Sequence, residues 1–443
     1  MAPVPDHVQT DVDLPEKTDV VIIGGGIAGT STALELAERG VDVVLCEKGH
    51  IAGEQSSRNW GWCRQMGRDV REIPLIVESL RLWRGMNVRI GAETGFRECG
   101  ILYACKDDAQ LARNERWLDE YARPYQLDSR MIDAAKVEEL VPGAAIPAKG
   151  ALYTPSDGRA EPQQAAPAIA NAARAQGAKI FTNCAVRGLE TKGGRAATVV
   201  TENGSIDANA VVLAGGAWSR HFCDSLGIRL PQLTTVSSVM RTAPIETGLE
   251  HSVGGDKYAF RKRTDGGYTI AHGGVSVSDI VPASFRYLFD FIPALKAEWG
   301  SIKLRLGSRF TEEWQLSRPW KLDQVSPFEK VRTLNPDPVG WVLDEAEASI
   351  KRHYPAFENM TIVEKWAGCI DVTPDAVPVI SEVDKIPGLF LSTGFSGHGF
   401  GIGPGAGKLT ADLVTGKPPV VDPEPFRYSR MVDGTKFKPM SLP

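Results

Sequence analysis

Residues 18–47 read TDVVIIGGGIAGTSTALELAERGVDVVLCE, and this stretch decides the fold. Asp19–Ile23 is an apolar, β-branched run suited to a strand buried on both faces. Gly24, Gly26 and Gly29 follow with the spacing GxGxxG. A helical pattern comes next, with Ala33, Leu34 and Ala37 on one face and Gly40 at its end. Val41–Cys46 is a second buried strand, closed by Glu47. A bare GxGxxG is a weak signal. Set between strand and helix, with an acid ending the next strand, it is a dinucleotide-binding unit. Gly24 permits the tight turn, Gly26 leaves the backbone open to a pyrophosphate, and Gly29 lets helix and strand approach. Unpaired N–H groups at the helix start point at the phosphates. Glu47 can accept from a ribose hydroxyl pair, which disfavours a 2′-phosphate. The expected ligand is therefore FAD or NAD rather than NADP.

The whole chain of 443 residues is long for one core, and two intertwined domains are expected. Its 42% apolar and 24% charged content is that of an ordinary globular protein. A net charge of −5 argues against a nucleic-acid partner. No segment approaches the roughly 18–20 apolar residues of a membrane span. The polar, Pro-containing start MAPVPDHVQTDVDLPEK lacks an apolar signal core, so a cytoplasmic location is expected. The seven cysteines form no CxxC pair and are odd in number, which fits free thiols. No metal site is expected, because Cys and His are scattered.

Further along, 162–177 reads as a helix ending in Gly177, and 178–190 as a strand. A hairpin is expected around Asn203-Gly204, running into a buried strand at Ala210–Ala214. FRECGILYAC (96–105), TIVEKWAG and LFLSTGF also look like strands, and SGHGFGIGPGAGKLTADLVTG opens a helix after glycines. The dinucleotide domain is thus expected from 1–60, 150–240 and 361–443, and a second domain from 61–149 and 241–360. The fold class is α/β, a Rossmann-like domain of discontinuous segments beside an α+β domain with a mixed or antiparallel sheet.

Several landmarks occur in an order that resembles the FAD-dependent amine and amino-acid oxidoreductases of the D-amino-acid oxidase, glycine oxidase and sarcosine oxidase type. They are VVIIGGGIAGTSTALELAERG, Glu47-Lys48, the SSRN loop, ALYTPSDGRAEP, the NCAV strand, VVLAGGAWS, FRKRTDGGYTIAHGG, KWAGCIDVTPDAVPVIS and GFSGHGFGIGPGAGKLTADL. The resemblance spans about 18–416 and favours FAD, held without a covalent link. It implies that Gly24, Gly26, Ile27, Ala28 and Gly29 hold the pyrophosphate, and that Glu47 holds the ribose with Lys48 beside it. Val186 would meet the adenine through its backbone, with Gly215 and Trp218 flanking the dinucleotide. Gly397, His398, Gly399, Phe400 and Gly401 would approach the flavin. A helix beginning near Pro404 would turn its positive end to the ring, stabilising negative charge there.

The stretch GEQSSRNWGWCRQMGRD (53–69) has no apolar period and reads as a functional loop. By the resemblance, Ser56, Ser57, Arg58 and Asn59 contact pyrophosphate and flavin edge, while Trp60 and Trp62 wall the site. Cys63 reads as a buried thiol, with a flavin link at Cys63 or Cys369 as the alternative. Many relatives carry a carboxylate-binding Arg in the WAGLRP-type segment. Here Ile370 stands in that place, followed by Asp371. Arg64 is then the first candidate for the substrate carboxylate, and Asp371 for a cationic group on the substrate or for a turn. Tyr258, Phe260 and His272 are further pocket candidates. His272 and His398 are weighed between structural roles and accepting the proton of the substrate ammonium. No catalytic residue is assigned.

The resemblance implies oxidation of a C–N bond of an amino acid or amine, by hydride transfer to flavin N5 and hydrolysis of the imine. O2 or another acceptor would take the electrons. Thr269 stands where some relatives carry the Lys that assists reaction with O2. A subunit of a heteromeric opine- or sarcosine-type dehydrogenase, a non-enzymatic flavoprotein and C–O oxidation are the rival readings. A homo-oligomer is also compatible. Residues 280–335 suggest an amphipathic helix, either covering the second domain or forming a lid or interface.

Overall fold

The computed structural model describes residues 3–316 and 319–439; residues 1–2, 317–318 and 440–443 of the expected segments lie outside that description. Strand Lys17–Ile23 is central to an eight-stranded sheet. It pairs in parallel with Val43–Cys46 on one side and Gly204–Leu213 on the other. Lys179–Phe181 extends the sheet beyond Val43–Cys46. The far edge of Gly204–Leu213 is shared. Its first half pairs antiparallel with Arg195–Thr201, its second in parallel with Leu389–Thr393. Val20, Ile22, Val43 and Leu45 face one layer while Val21, Val44 and Val211 face the other, and all are buried. Covering both faces is what makes the sequence a continuous apolar run rather than an alternation.

Helix Ile27–Ala37 is buried along all 11 residues, not on one face. Helices Pro162–Ala175 and Gly399–Val414 pack against it. The second contact is close because glycines make it. A Cβ on Gly403 would come 2.6 Å from Ile27, and one on Gly407 would come 2.5 Å from Ser31. The next glycine face does the same on the other side: a Cβ on Gly405 would meet the Leu75 carbonyl at 2.8 Å, in helix Ile73–Ile90. Gly399–Val414 is thus wedged between two helices. It begins at Gly399, a turn earlier than expected, and Pro404 lies inside it. Packing on both sides holds the helix across the missing proline N–H.

The second sheet has ten strands. Leu233–Thr242 pairs antiparallel with Ile362–Val372, Tyr268–Ala271 and Ser276–Asp279. The sheet continues through Ala259–Lys262, Ser252–Gly254, Ile101–Cys105 and Gly150–Thr154 to Arg130–Asp133. Most pairs are antiparallel; Ser252–Gly254 with Ile101–Cys105 is parallel. Strands at 150–154, 233–242 and 362–372 belong to this sheet, so the sheets change about a strand away from the expected limits at 150, 240 and 361. The first hairpin turns at Glu202-Asn203, since Thr201 pairs with Gly204. The segment 178–190 forms two strands, Lys179–Phe181 and Val186–Lys192, rather than one.

Residues 280–335 do not form one amphipathic helix. They make short helices at Pro282–Arg286, Leu288–Ala297, Arg309–Leu316 and Pro327–Lys330 and a strand at Ile302–Arg305. Gly300 and Gly307 interrupt the pattern. Tyr287 and Phe291 are buried, but Phe289, Trp299, Leu306 and Trp314 are exposed. The later part returns to the first domain, where Trp320 donates to the Arg187 carbonyl and Arg187 pairs with Glu329. Among the described residues no helix is long and apolar enough to cross a membrane.

One buried ion pair ties the two sheets. Glu161 sits at the start of helix Pro162–Ala175, and Arg261 lies on strand Ala259–Lys262. Their bidentate contacts are 2.7 and 3.0 Å, and Arg261 Nε also donates to the Trp60 carbonyl. Burial alone would raise the Glu161 pKa, but the Arg261 charge and hydrogen bonds outweigh it and hold the group at about 2. Removing one partner strands a buried charge. Glu161→Gln is expected to cost about 3–5 kcal/mol in urea unfolding at neutral pH. Because the folded pKa is depressed, the Glu161 contribution is fully present above the ordinary 4.5 and is lost as pH falls towards about 2. The variant should show a flatter stability profile across that window.

Candidate active site

The glycine turn has the geometry its sequence predicts. Gly24 adopts φ +111°, and a Cβ there would sit 2.5 Å from the Ala214 carbonyl, next to Gly215. A Cβ on Gly29 would sit 2.0 Å from the Gly24 carbonyl. Gly26 caps helix Ile27–Ala37 without a side-chain hydrogen bond, so the turn offers the backbone N–H groups of Gly26 and Ala28 to an anion. Ser56 Oγ accepts from Ile27 N at 2.9 Å, which brings the SSRN loop onto this turn. Glu47 accepts from Gly25 N and Gly49 N, each at 2.7 Å. Burial pushes its pKa up from the ordinary range, with Lys48 and the two N–H groups opposing. Two donors leave acceptor capacity on both oxygens, which suits a ribose diol. These residues fit FAD.

Lys48 is held away from a free role. It donates to Glu54 at 2.7 Å and to the carbonyls of Val331 and Arg332. Glu54 also accepts from Trp218 Nε1 at 3.0 Å, and the Lys48 ammonium lies 4.5 Å from the Trp218 ring centroid. Val186 opens its strand and is buried. In the SSRN loop only Ser56 touches the glycine turn. The Ser57 hydroxyl bonds the Glu54 carbonyl, and Asn59 bonds the Gln55 and Ser56 carbonyls while accepting from Gly61 N. Arg58 donates to Asn335, Ala367 and Gly53, leaving a buried Nε without a partner.

Trp60 and Trp62 meet edge to face at 5.4 Å. Trp60 packs on Val239, Ala271 and Trp366, the face of the second sheet turned towards the loop. Trp62 packs on Tyr103. Strand alternation sends Tyr258 and Phe260 to the opposite face, where they pack edge-on or tilted against Tyr354 and Phe357 beyond helix Gly340–His353. His272 lies 3.3 Å from Glu345 of that helix and accepts from Gly274 N. These three residues are therefore set in the far core, away from the tryptophans. Asp371 is also occupied: its carboxylate accepts from Gln232, Thr393 and Gly394 N, at 2.7 Å for the last. Through Oδ2 it anchors the turn preceding Gly397.

Helix Gly399–Val414 begins beside the tryptophan loop. A Cβ on Gly401 would lie 3.3 Å from the Cys63 Cα and the Trp62 carbonyl. Gly397 (φ +87°) and Gly399 make the turn into it, and the Phe400 ring turns back onto Trp83. His398, at the N-cap, places Nδ1 2.9 Å from Glu72, which is fully buried. Burial and the charges of Arg68 and Arg64 depress the His398 pKa, and Glu72 opposes them. Arg64 has its guanidinium 5.6 Å from the Tyr103 ring centroid and bonds the Met66 carbonyl. Asp157 fixes this stretch by accepting from Gln65 N and Met66 N; burial pushes its pKa up to about 7. Cys63 and Cys369 are both buried thiols, pushed above the ordinary value by burial. A cavity of about 850 Å³ lies under the 305–337 segment, with Arg309, Trp320 and Asn335 in its wall.

Sequence reading missed Asp157, Glu161, Arg261, Arg68 and Glu72. Asp157 and Glu161 lie in ALYTPSDGRAEP, Arg261 in FRKRTDGGYTIAHGG and Arg68 in the 53–69 loop, each without a role read for it; Glu72 carried no signal.

A glycine turn with a carboxylate at the end of the next strand, beside a second helix start, is the arrangement of a flavin-dependent oxidoreductase. The chain belongs to the DAO family, FAD dependent oxidoreductase, whose model matches residues 19–413. It is similar to the structure of L-amino acid deaminase from Proteus myxofaciens in complex with anthranilate, at 37% identity, TM-score 0.93 and 96% of both chains. It is 26% identical to mouse (Mus musculus) mitochondrial sarcosine dehydrogenase over 91% of this chain, which spans 40% of that relative's length. Sarcosine oxidase subunit beta of Arthrobacter sp. matches at 24% identity, over 97% of this chain and 95% of its own.

Closing the glycine turn should remove the cofactor. Gly29→Ala puts a methyl 2.0 Å from the Gly24 carbonyl. The purified variant is expected to carry little FAD by its visible-to-ultraviolet absorbance ratio, with the wild type as reference.

Proposed function

We propose that this enzyme oxidises the C–N bond of an α-amino acid to an imine, which water hydrolyses to a 2-oxo acid and ammonia. Bound FAD supplies the two-electron acceptor at N5. The observation that carries the reading is Arg64. Its backbone lies beside the start of helix Gly399–Val414 and its guanidinium over Tyr103, the ring that packs on Trp62, with no carboxylate partner among the described residues. A planar cation in that position suits the carboxylate of an amino acid. The similarity to a Proteus L-amino acid deaminase over 96% of both chains supports a primary L-amino acid. The similarity to a sarcosine oxidase subunit supports the second reading, a flavin subunit that works with a partner chain. The raised thiol pKa values at Cys63 and Cys369 favour non-covalent FAD.

The remaining chemistry is proton handling. An amino acid arrives as an ammonium and must lose a proton before oxidation. Glu72 holds His398 through Nδ1, which leaves Nε2 as the acceptor. Burial keeps that ring neutral below the ordinary imidazole range. His398 is the group we assign to receive the proton, with Glu72 as its positioning residue.

Two tests follow. Arg64→Leu should lower kcat/KM for amino acids by about a hundredfold and spare amines that lack a carboxylate; an equal loss on both contradicts the assignment. In Glu72→Gln the amide oxygen still accepts from Nδ1, but the charge that favours imidazolium is gone. The acid limb of the kcat profile should therefore move to lower pH, by about one unit. An unmoved limb removes His398 from the reaction.

A further inference from the structure

Three buried arginines of the described residues are matched to carboxylates, while Arg58, Arg159 and Arg68 each leave a buried guanidinium nitrogen unpartnered; Arg68 is the one beside Arg64. Arg261 pairs with Glu161, Arg430 with Asp375, and Arg220 with Glu313. Arg68 is equally buried, at 2% exposure. Its Nε donates to the Arg64 carbonyl at 3.0 Å, its Nη1 has no partner, and it has no carboxylate partner among the described residues. Its main chain is fixed, since Trp117 Nε1 donates to its carbonyl. An uncompensated buried guanidinium is costly, and an arriving anion recovers that cost. The Arg68 Nε–Arg64 carbonyl hydrogen bond sets the Arg68 guanidinium beside the backbone of Arg64, four residues away on the same stretch.

Arg64 is occupied by the α-carboxylate under the proposed function, on which this inference rests. We propose that Arg68 binds a second carboxylate of the substrate, so that the preferred substrates are α-amino acids with an acidic side chain. The planar fork of Arg68, buried and unpartnered at Nη1, favours a charged carboxylate over a neutral amide and offers nothing to an alkyl group. One feature of the pocket opposes this. Glu72 is also buried, and its Oε1 is unpartnered. A water bridging Arg68 Nη1 to Glu72 Oε1 is the rival arrangement, and it would make Arg68 purely structural.

The two are separated on the FAD-loaded protein. The ratio of kcat/KM for aspartate over asparagine, and for glutamate over glutamine, should be about ten or more. Arg68→Gln should bring the ratio towards one, and Arg68→Lys should restore part of it. Succinate should raise the melting temperature of the wild type and perturb its flavin band, and Arg68→Gln should reduce both responses to those given by acetate. Acetate should give a smaller response that survives the substitution. A wild-type ratio near one, or an Arg68→Gln loss equal on acid and amide, overturns the inference and leaves amino-acid oxidation standing. If no amino acid is oxidised, the proposed function fails, and succinate binding through Arg68 then decides the inference alone.

Discussion

Two helices start side by side, and neither Gly26 nor His398 caps its own helix with a side chain. Gly403 rests on Ile27 and Gly407 on Ser31, a constant offset that sets helices Ile27–Ala37 and Gly399–Val414 in parallel. Glycine alone allows that approach, because a Cβ at either position would fall within 2.6 Å of the neighbour. The consequence is electrostatic as well as steric. Two positive helix ends open on one cleft, where one can meet a pyrophosphate and the other a ring that gains negative charge. Helix Ile73–Ile90, held by Ser79 and Trp83 against the Gly401 carbonyl, fixes the arrangement from behind.

Around this cleft the charges divide into those that are spent and those that are not. Glu161 and Arg261 neutralise each other and lock the tryptophan loop to the second sheet. Asp371 is consumed by the turn before Gly397, and Lys48 by Glu54 and the 331–332 carbonyls. Arg64 and Arg68 keep free donor capacity on the same short stretch. That asymmetry, and not the fold, is what points to an anionic substrate.

The dinucleotide half was legible because its signal is local. Gly24, Gly26, Gly29 and Glu47 are close in sequence, and their spacing alone dictates the turn. The substrate half depends on parity and on partners far along the chain. Tyr258 and Phe260 looked like pocket residues, but which face of a strand meets the cofactor is decided by helix Gly340–His353, about 80 residues away. Asp371 looked available because its three donors come from Gln232, Thr393 and Gly394. Arg68 sat in the 53–69 loop, whose reading stopped at Arg64, and Glu72 lay just beyond it outside any motif. The 280–335 segment failed as a single helix because its periodicity was real over short pieces that Pro and Gly separate.

The central claim is that the cleft oxidises α-amino acids. The most direct measurement is an anaerobic titration of the purified, FAD-loaded protein with amino acids, N-methyl amino acids and simple amines, followed at the flavin band near ~450 nm. The account predicts bleaching by α-amino acids, with formation of one 2-oxo acid and one ammonia per flavin reduced. A full flavin band that no amino acid bleaches would contradict it.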